Sequence, residues 1–432
     1  MRFAAVLRSF TGPVVAGVLC VSACSSSTAK PRNDAGAQDV GTTIDVSDEV
    51  ATPDAVMSPD VGAPVDTGAV PDGAATVPLR NVDVTIIYPL PAAADLDALL
   101  KPADVGLGGA LLTADAFDQG HVPELDGRDP LTDDAARLAA LRVVAVRVDP
   151  CPGNVVPPPA GATCTPELRL VFQSLKVDGS DTTARDGAIH TFHALSPTDF
   201  AAVVRALRDI RAERSGDLPM PLDIHPLLRA EGPSGAYAQR LRALLLAHAG
   251  TANLVRVTHF RRDPQYTSWQ FALREIAAGA WRDGMLPTIA VTEEHLVTIS
   301  GGRWDADITP AVTSPDDPRL VLHAQTDQRV QAFSATVRVL NPRVHSNQSI
   351  DCASCHVAPD IAIFVGSTAS LRVQDDAQHF QSAYPLDAVP KSSTEAIAFQ
   401  NIHMASYSGR TLSLSTRTVN ETAAVLEMLN GG

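Results

Sequence analysis

The sequence predicts an α+β fold, on three observations. Stretches with strand alternation and stretches with helical spacing are interspersed without a regular βαβ period, which disfavours a doubly wound sheet. The chain has 432 residues, 45% of them hydrophobic, enough for a sizeable core and more than one domain. The apolar patterning begins only near Pro78, so the body starts there and the preceding residues do other work. With 34 Lys and Arg against 49 Asp and Glu, the net charge is −15 and no basic face is available to neutralise phosphates, which excludes a general nucleic-acid binder.

Residues 1–23 read as an export signal: Arg2 and Arg8 without an acid, then an apolar stretch through Val14–Val21. The stretch is too short, and too broken by Thr11-Gly12-Pro13, for a membrane span. It ends in Val21-Ser22-Ala23-Cys24, which resembles a bacterial lipobox. That resemblance implies acylation of Cys24, anchorage in a membrane and, because Ser25 rather than Asp follows, an outer-membrane destination. Acyl chains insert by burying methylenes at about 0.8 kcal/mol each, so several together hold firmly. Cys20 fits less well because bulky Leu19 precedes it, and an ordinary cleaved signal peptide is the other reading. From the lipidated Cys24 to Val77, residues 24–77 contain no Phe, Trp or Tyr, and beyond Cys24 nine acids stand against Lys30 and Arg32. Such a segment cannot bury enough apolar surface to offset chain ordering and reads as a disordered acidic tether.

Residues 78–343 read as an α+β domain. Asn81–Tyr88 alternates through Val82, Val84 and Ile86 as a half-buried strand; Leu141–Val148 and Leu168–Phe172 are further strands. The loop between the latter two carries a cysteine near each end, so Cys151 and Cys164 are expected to form a disulfide worth about 3 kcal/mol on the loop-entropy account. Asp199–Glu213 and Ala236–Ala249 have helical spacing, the second closed by Gly250. Asn253–Phe260, Arg319–His323 and Ala335–Leu340 return to strand character. His190 and His193, three apart on a strand, point to opposite faces and cannot share an ion. Trp269-Gln270-Phe271 reads as core, and Glu293-Glu294-His295 as a solvated cluster. No phosphate loop, nucleophile elbow or His-Glu-x-x-His is present, so no catalytic residue is named and an enzyme is not the favoured reading.

Near the C-terminal end stands Asp351-Cys352-Ala353-Ser354-Cys355-His356. Cys-x-x-Cys-His is the attachment pattern of c-type haem. Cys352 and Cys355 lie on one side of a helical turn, where two thiols reach the two vinyl groups of one porphyrin edge, and His356 follows to ligate iron. Residues 344–432 resemble a class I cytochrome c segment. The resemblance implies a covalent haem, Cys352 and Cys355 as thioether positions, His356 as proximal ligand, and a mostly helical segment closed by a C-terminal helix. Met404, 48 positions after His356, is the expected distal ligand, with His403, His345 and His379 as alternatives. In the closing helix Thr418 and Glu421 read as a capping box, Thr422, Val425, Met428 and Leu429 share a face, and Gly431 ends it. The sequence departs from the family at Val357-Ala358-Pro359, where Gly often follows the His, and Pro359 is expected to end the motif helix.

The expectation is therefore a membrane-anchored envelope lipoprotein carrying one covalent haem c for electron transfer, with an unidentified redox protein as partner. An oxidase or peroxidase using an open iron position is a less favoured haem reading, and two haem-free alternatives also stay open at this stage. In one, the protein is a haem-free envelope lipoprotein that binds a ligand or partner, with a Cys352–Cys355 disulfide. In the other, these thiols hold a different metal with a further His.

Overall fold

The structure, a computed structural model, describes residues 77–120, 133–151, 165–213, 221–263, 268–286, 289–291, 293–299, 303–307, 329–347, 349–356, 358–359, 362, 370–384 and 403–431. Gly73–Gly432 form one compact unit, and Met1–Asp72, where the signal and most of the tether are expected, lies outside the described residues.

The elements follow the α+β expectation. The first is a single helical turn, α1 (Asn81–Val84), followed by strand β1 (Thr85–Ile87). The continuous strand expected over 81–88 is thus corrected. Asp83 accepts hydrogen bonds from the Arg80 backbone N–H and guanidinium, a reciprocal cap that winds the first half into a helix. A small hairpin, β2 (Val105–Gly106) and β3 (Gly109–Ala110), precedes helices α2 (Ala114–Gly120) and α3 (Asp134–Ala140). Strands β4 (Leu141–Asp149), β5 (Glu167–Asp178), β6 (Asp181–Ala184) and β7 (Ala188–Ala194) lead to helices α4 (Pro197–Ala212), α5 (Pro226–Glu231) and α6 (Ala236–His248). Then come β8 (Leu254–Asp263), β9 (Ser268–Ala277), β10 (Ala280–Leu286), β11 (Ile289–Val291), β12 (Glu293–Ile299) and β13 (Arg303–Asp307). Helix α7 (Arg329–Leu340), the hairpin β14 (Ala405–Ser408) and β15 (Thr411–Leu414), and helix α8 (Thr416–Asn430) complete the order.

The expected strand over Ala335–Leu340 is instead the end of α7. Its β-branched residues favour strand locally, but Phe333, Val337 and Leu340 are buried at helical spacing, and tertiary burial overrides propensity. Arg319–His323 lies outside the described residues.

One antiparallel sheet runs β1-β4-β5-β7-β8-β9-β10-β11, with β6 beside β5 and β12-β13 continuing from β9. The register aligns Arg147, Arg169, Phe192 and Arg256 in one row across β4, β5, β7 and β8. Because side chains alternate, that face also carries Asp149, Glu167, Gln173, His190 and Phe260. Leu168, Leu170, Phe172 and Val257 point the other way, in the same buried cluster as Val203 and Leu207 of α4 and Leu241 and Leu245 of α6. His193, also on that second face, bonds through Nδ1 to Gly250 just past α6 (3.2 Å). His190 and His193 therefore do face opposite sides.

The polar face is covered by the C-terminal stretch. Gln173 Nε2 donates to the Tyr407 carbonyl (2.9 Å) and accepts from the Tyr407 N–H through Oε1 (2.6 Å). Thr85 and Thr422 hydroxyls meet at 2.8 Å, and Arg147 pairs with Glu421. The expected division between residues 343 and 344 does not split the core: Ala353, Tyr407, Val419 and Leu426 share one buried cluster with the strands. An 89-residue stretch with so few large apolar side chains gains its burial by using the sheet as a floor.

Candidate haem-attachment site

Residues 352–356 are helical, as are 358, 359 and 362, so Pro359 does not end the motif helix as expected. Asp351 starts it: its buried carboxylate accepts from the Ser354 N–H (2.8 Å), an N-cap that fixes the first turn. Cys352 and Cys355 then fall three apart, both partly buried and neither in a disulfide. Ala353 and Ser354 between them are fully buried, which anchors the turn against the core.

His356 is buried with its ring against Phe260 (centroids 4.6 Å) and Phe271 (5.3 Å). Those two phenylalanines are register partners on β8 and β9, so the sheet itself supplies the aromatic wall. Trp269 and Phe271 are buried, as expected for core residues, and Phe271 is also part of this wall. Met404 enters from the turn before β14, and its Sδ lies 3.9 Å from Cys355 Sγ. A residue 49 positions away is thereby brought onto the motif. Met404 is fixed through its backbone: its carbonyl accepts from the Ser415 N–H (2.9 Å) and the Thr418 hydroxyl (2.8 Å).

Of the alternative distal residues, His403 shares the Phe260 wall with His356, while His345 is bonded within its own turn. His403 is buried, with Nδ1 bonded to Ser406 Oγ (2.6 Å), Nε2 3.6 Å from Asp186, and its ring edge-on to Phe260 and Trp269. His345 Nδ1 bonds Ser349 Oγ at 3.2 Å.

Electrostatics set the state of the thiol. Burial pushes the Cys355 thiol up to about 12, with Glu421 and Asp351 adding to the rise and Arg417 and Arg169 opposing it. Cys355 is a protonated thiol at neutral pH, unlike the depressed thiolate of a dithiol oxidoreductase. Burial likewise holds His190 well below its ordinary value, reinforced by the charge of Arg169.

Beside the motif lies a buried charge network that sequence reading missed. Arg147, Arg169, Arg256 and Arg417 meet Asp149, Glu167 and Glu421, and all seven come from the sheet's polar face or from α8. Phe192 is flanked by the guanidinium groups of Arg256 (4.0 Å) and Arg169 (4.8 Å). Burial works to raise Glu421, yet Arg147, Arg417 and Arg169 together hold its carboxyl at about 2. The expected capping role of Glu421 is therefore corrected: Ser415 caps α8 by accepting from the Thr418 N–H (3.2 Å), and Glu421 belongs to the network. The available signal was an arginine at a core position of a strand, Arg147 within Ala145-Val146-Arg147-Val148.

Cys151 is disulfide-bonded; Cys164, its expected partner, and Cys24 lie outside the described residues. Cys151 leaves β4 with φ 66°, its N–H held by Asp149 Oδ1 at 2.9 Å. Among the described residues no three His, Cys, Asp or Glu are grouped to hold a metal ion by themselves, and no helix is long and apolar enough to cross a membrane.

Two unbridged thiols and an imidazole on one helical turn, with a thioether beside them and aromatic rings behind the imidazole, are groups that would hold a covalent haem. The residues present fit that group. No family model, no curated protein and no solved structure matches the chain.

Proposed function

We propose that this protein is an envelope-anchored electron carrier with one covalent haem c, joined through Cys352 and Cys355 and ligated by His356, with Met404 as distal ligand. The observation that carries the reading is the meeting of Met404 Sδ with Cys355 Sγ at 3.9 Å, which brings a distant thioether onto the Cys-x-x-Cys-His turn. The bound haem supplies a one-electron couple at its iron. The chain's own residues do the rest: Asp351 fixes the turn, Phe260 and Phe271 orient the His356 ring and exclude water from it, and the Ser415 and Thr418 bonds hold the Met404 backbone. Anchorage through acylated Cys24, on the outer membrane, belongs to the same proposal and rests on Val21-Ser22-Ala23-Cys24.

The test is expression of the full chain in a host with a cytochrome c maturation system. A pyridine haemochrome spectrum and an intact mass raised by one porphyrin and by acyl chains are expected. Cys352→Ser with Cys355→Ser removes the covalent haem. Met404→Ala removes the weak sulfur-to-iron band of the oxidised protein; an unchanged band assigns the distal position to another group. Colourless protein with a Cys352–Cys355 disulfide would overturn the haem reading in favour of a haem-free binding lipoprotein.

A further inference from the structure

In the ion pairs of the network under the motif, the buried guanidinium groups of Arg147, Arg256 and Arg417 and the partly buried one of Arg169 face three carboxylates, so guanidinium groups are in surplus by one. The surplus is matched by orphaned donors: Arg147 Nε and Nη2, Arg169 Nε, and Arg256 Nε and Nη2 are buried without a hydrogen-bond partner among the described residues. Arg147 is closely paired with Glu421, but the other ion pairs of these three arginines are long, 3.5 Å from Arg169 to Glu167, 3.6 Å from Arg169 to Asp149 and from Arg256 to Glu167, and 3.8 Å from Arg147 Nε to Asp149. Arg147 and Arg169 are also register partners, and like charges opposite one another on adjacent strands repel. Buried donors left without acceptors keep their full desolvation cost, larger when they are charged, so this arrangement calls for further anionic oxygens.

The row has a fixed relation to the candidate site. Arg256 and Phe260 lie on the same face of β8, four residues apart, so the arginine row is about 13 Å along the strand from the phenylalanine that packs on His356. A porphyrin carries its two carboxylate arms on the edge opposite the vinyl groups, so a ring fastened at Cys352 and Cys355 has its negative charges at a distance from the cysteines.

We propose that Arg169, with Arg147 and Arg256, receives the carboxylate arms of the haem, so that the sheet of the larger body completes a site whose covalent half lies in the C-terminal stretch. This inference rests on the haem reading and extends it to arginines outside residues 344–432, where the family resemblance ends. It gives the body a task, which is to neutralise and orient the macrocycle.

The test has two arms. In the first, wild type, Arg169→Met and the exposed-site control Arg410→Met are matured in cells, and midpoint potential and the propionate modes of the resonance Raman spectrum are recorded. Arg169→Met is expected to keep its covalent haem, shift the propionate modes, and lower the potential, because loss of a nearby positive charge favours the ferric state; Arg410→Met leaves both unchanged. In the second arm, wild-type apo-protein is titrated with haem and with its dimethyl ester, followed in the Soret band, which needs no variant to fold. The ester is expected to bind about tenfold more weakly or worse. Equal affinity for acid and ester, or Raman modes and potential untouched in a folded Arg169→Met, overturns the proposal while leaving the haem intact. A chain that takes up no haem in either arm overturns the haem reading itself.

Discussion

At the scale of single residues, polar groups enclosed by the sheet tie stability to pH. His193 is fully buried, bonded to Gly250 and Thr191, and burial lowers it from 6.5 to about 4 despite the help of its Gly250 and Asn253 contacts. A base depressed in the fold contributes stability that is complete above its unfolded value near 6.5 and is lost as pH falls through about 4. The shift corresponds to about 3 kcal/mol in full. Urea unfolding of wild type between pH 7.5 and 4.5 should therefore show a falling free energy below 6.5 that is shallower in His193→Gln; parallel curves would assign the slope elsewhere. Legibility at this scale divides by cause. Cys352, Cys355 and His356 were readable because Cys-x-x-Cys-His is a local pattern of fixed spacing. The row of Arg147, Arg169 and Arg256 was not, because it exists only once β4, β5, β7 and β8 pair in register.

At the scale of elements, α8 shows how a helix end and a buried pair do separate work. Ser415 satisfies the Thr418 N–H, and replacing it with Ala is expected to cost about 1 kcal/mol, read from chemical denaturation. Glu421 lies between Arg147 and Arg417 in the interior, and Glu421→Gln leaves two buried guanidinium groups short of their counter-charge. That change is expected to cost about 3–5 kcal/mol and to remove a pH dependence of definite sign. A carboxyl depressed from 4.5 to about 2 contributes stability that is complete above 4.5 and is lost as pH falls through 2. The acid limb in that window should flatten in the variant, and an unaltered limb would remove Glu421 from the network. The sequence reading placed a cap at Thr418 and Glu421 because Thr-x-x-Glu fits the local rule equally well. Only the arginines from another strand and from within the helix decide against it. Helix α7 was misread for a related reason: Val330, Thr336, Val337 and Val339 favour strand, and the surfaces that wind them into a helix are distant in sequence.

At the scale of the whole molecule, the described residues between 77 and 431 share one main buried cluster that draws on both the strands and the C-terminal stretch. The start and end of that span are joined directly: Leu79 N–H donates to Asn430 Oδ1 (3.0 Å) and the Leu79 carbonyl accepts from Asn430 Nδ2 (2.8 Å). Arg417 donates to the carbonyls of Val339 and His345, tying α8 to α7 and to the stretch before the motif. A reading by segment separates a body from a C-terminal cytochrome-like piece because the motif and the closing helix are local signals. The shared floor of Gln173, Phe260 and Phe271 is a long-range one. The consequence is a truncation result. A chain ending at residue 343 loses Glu421 and Arg417 from the charge network and uncovers Phe260, Phe271 and Trp269, all now buried. Arg147, Arg169 and Arg256 then face water or one another across an incomplete layer, and the exposed aromatic wall favours association over folding. The truncated chain is expected to lack a cooperative thermal transition and to bind a hydrophobic dye, whereas the span from residue 73 to 432 melts in one step by circular dichroism. Independent cooperative melting of the truncated body, within a few degrees of the intact chain, would show that the C-terminal stretch is an appendage, and would leave the aromatic wall behind His356 without its structural role.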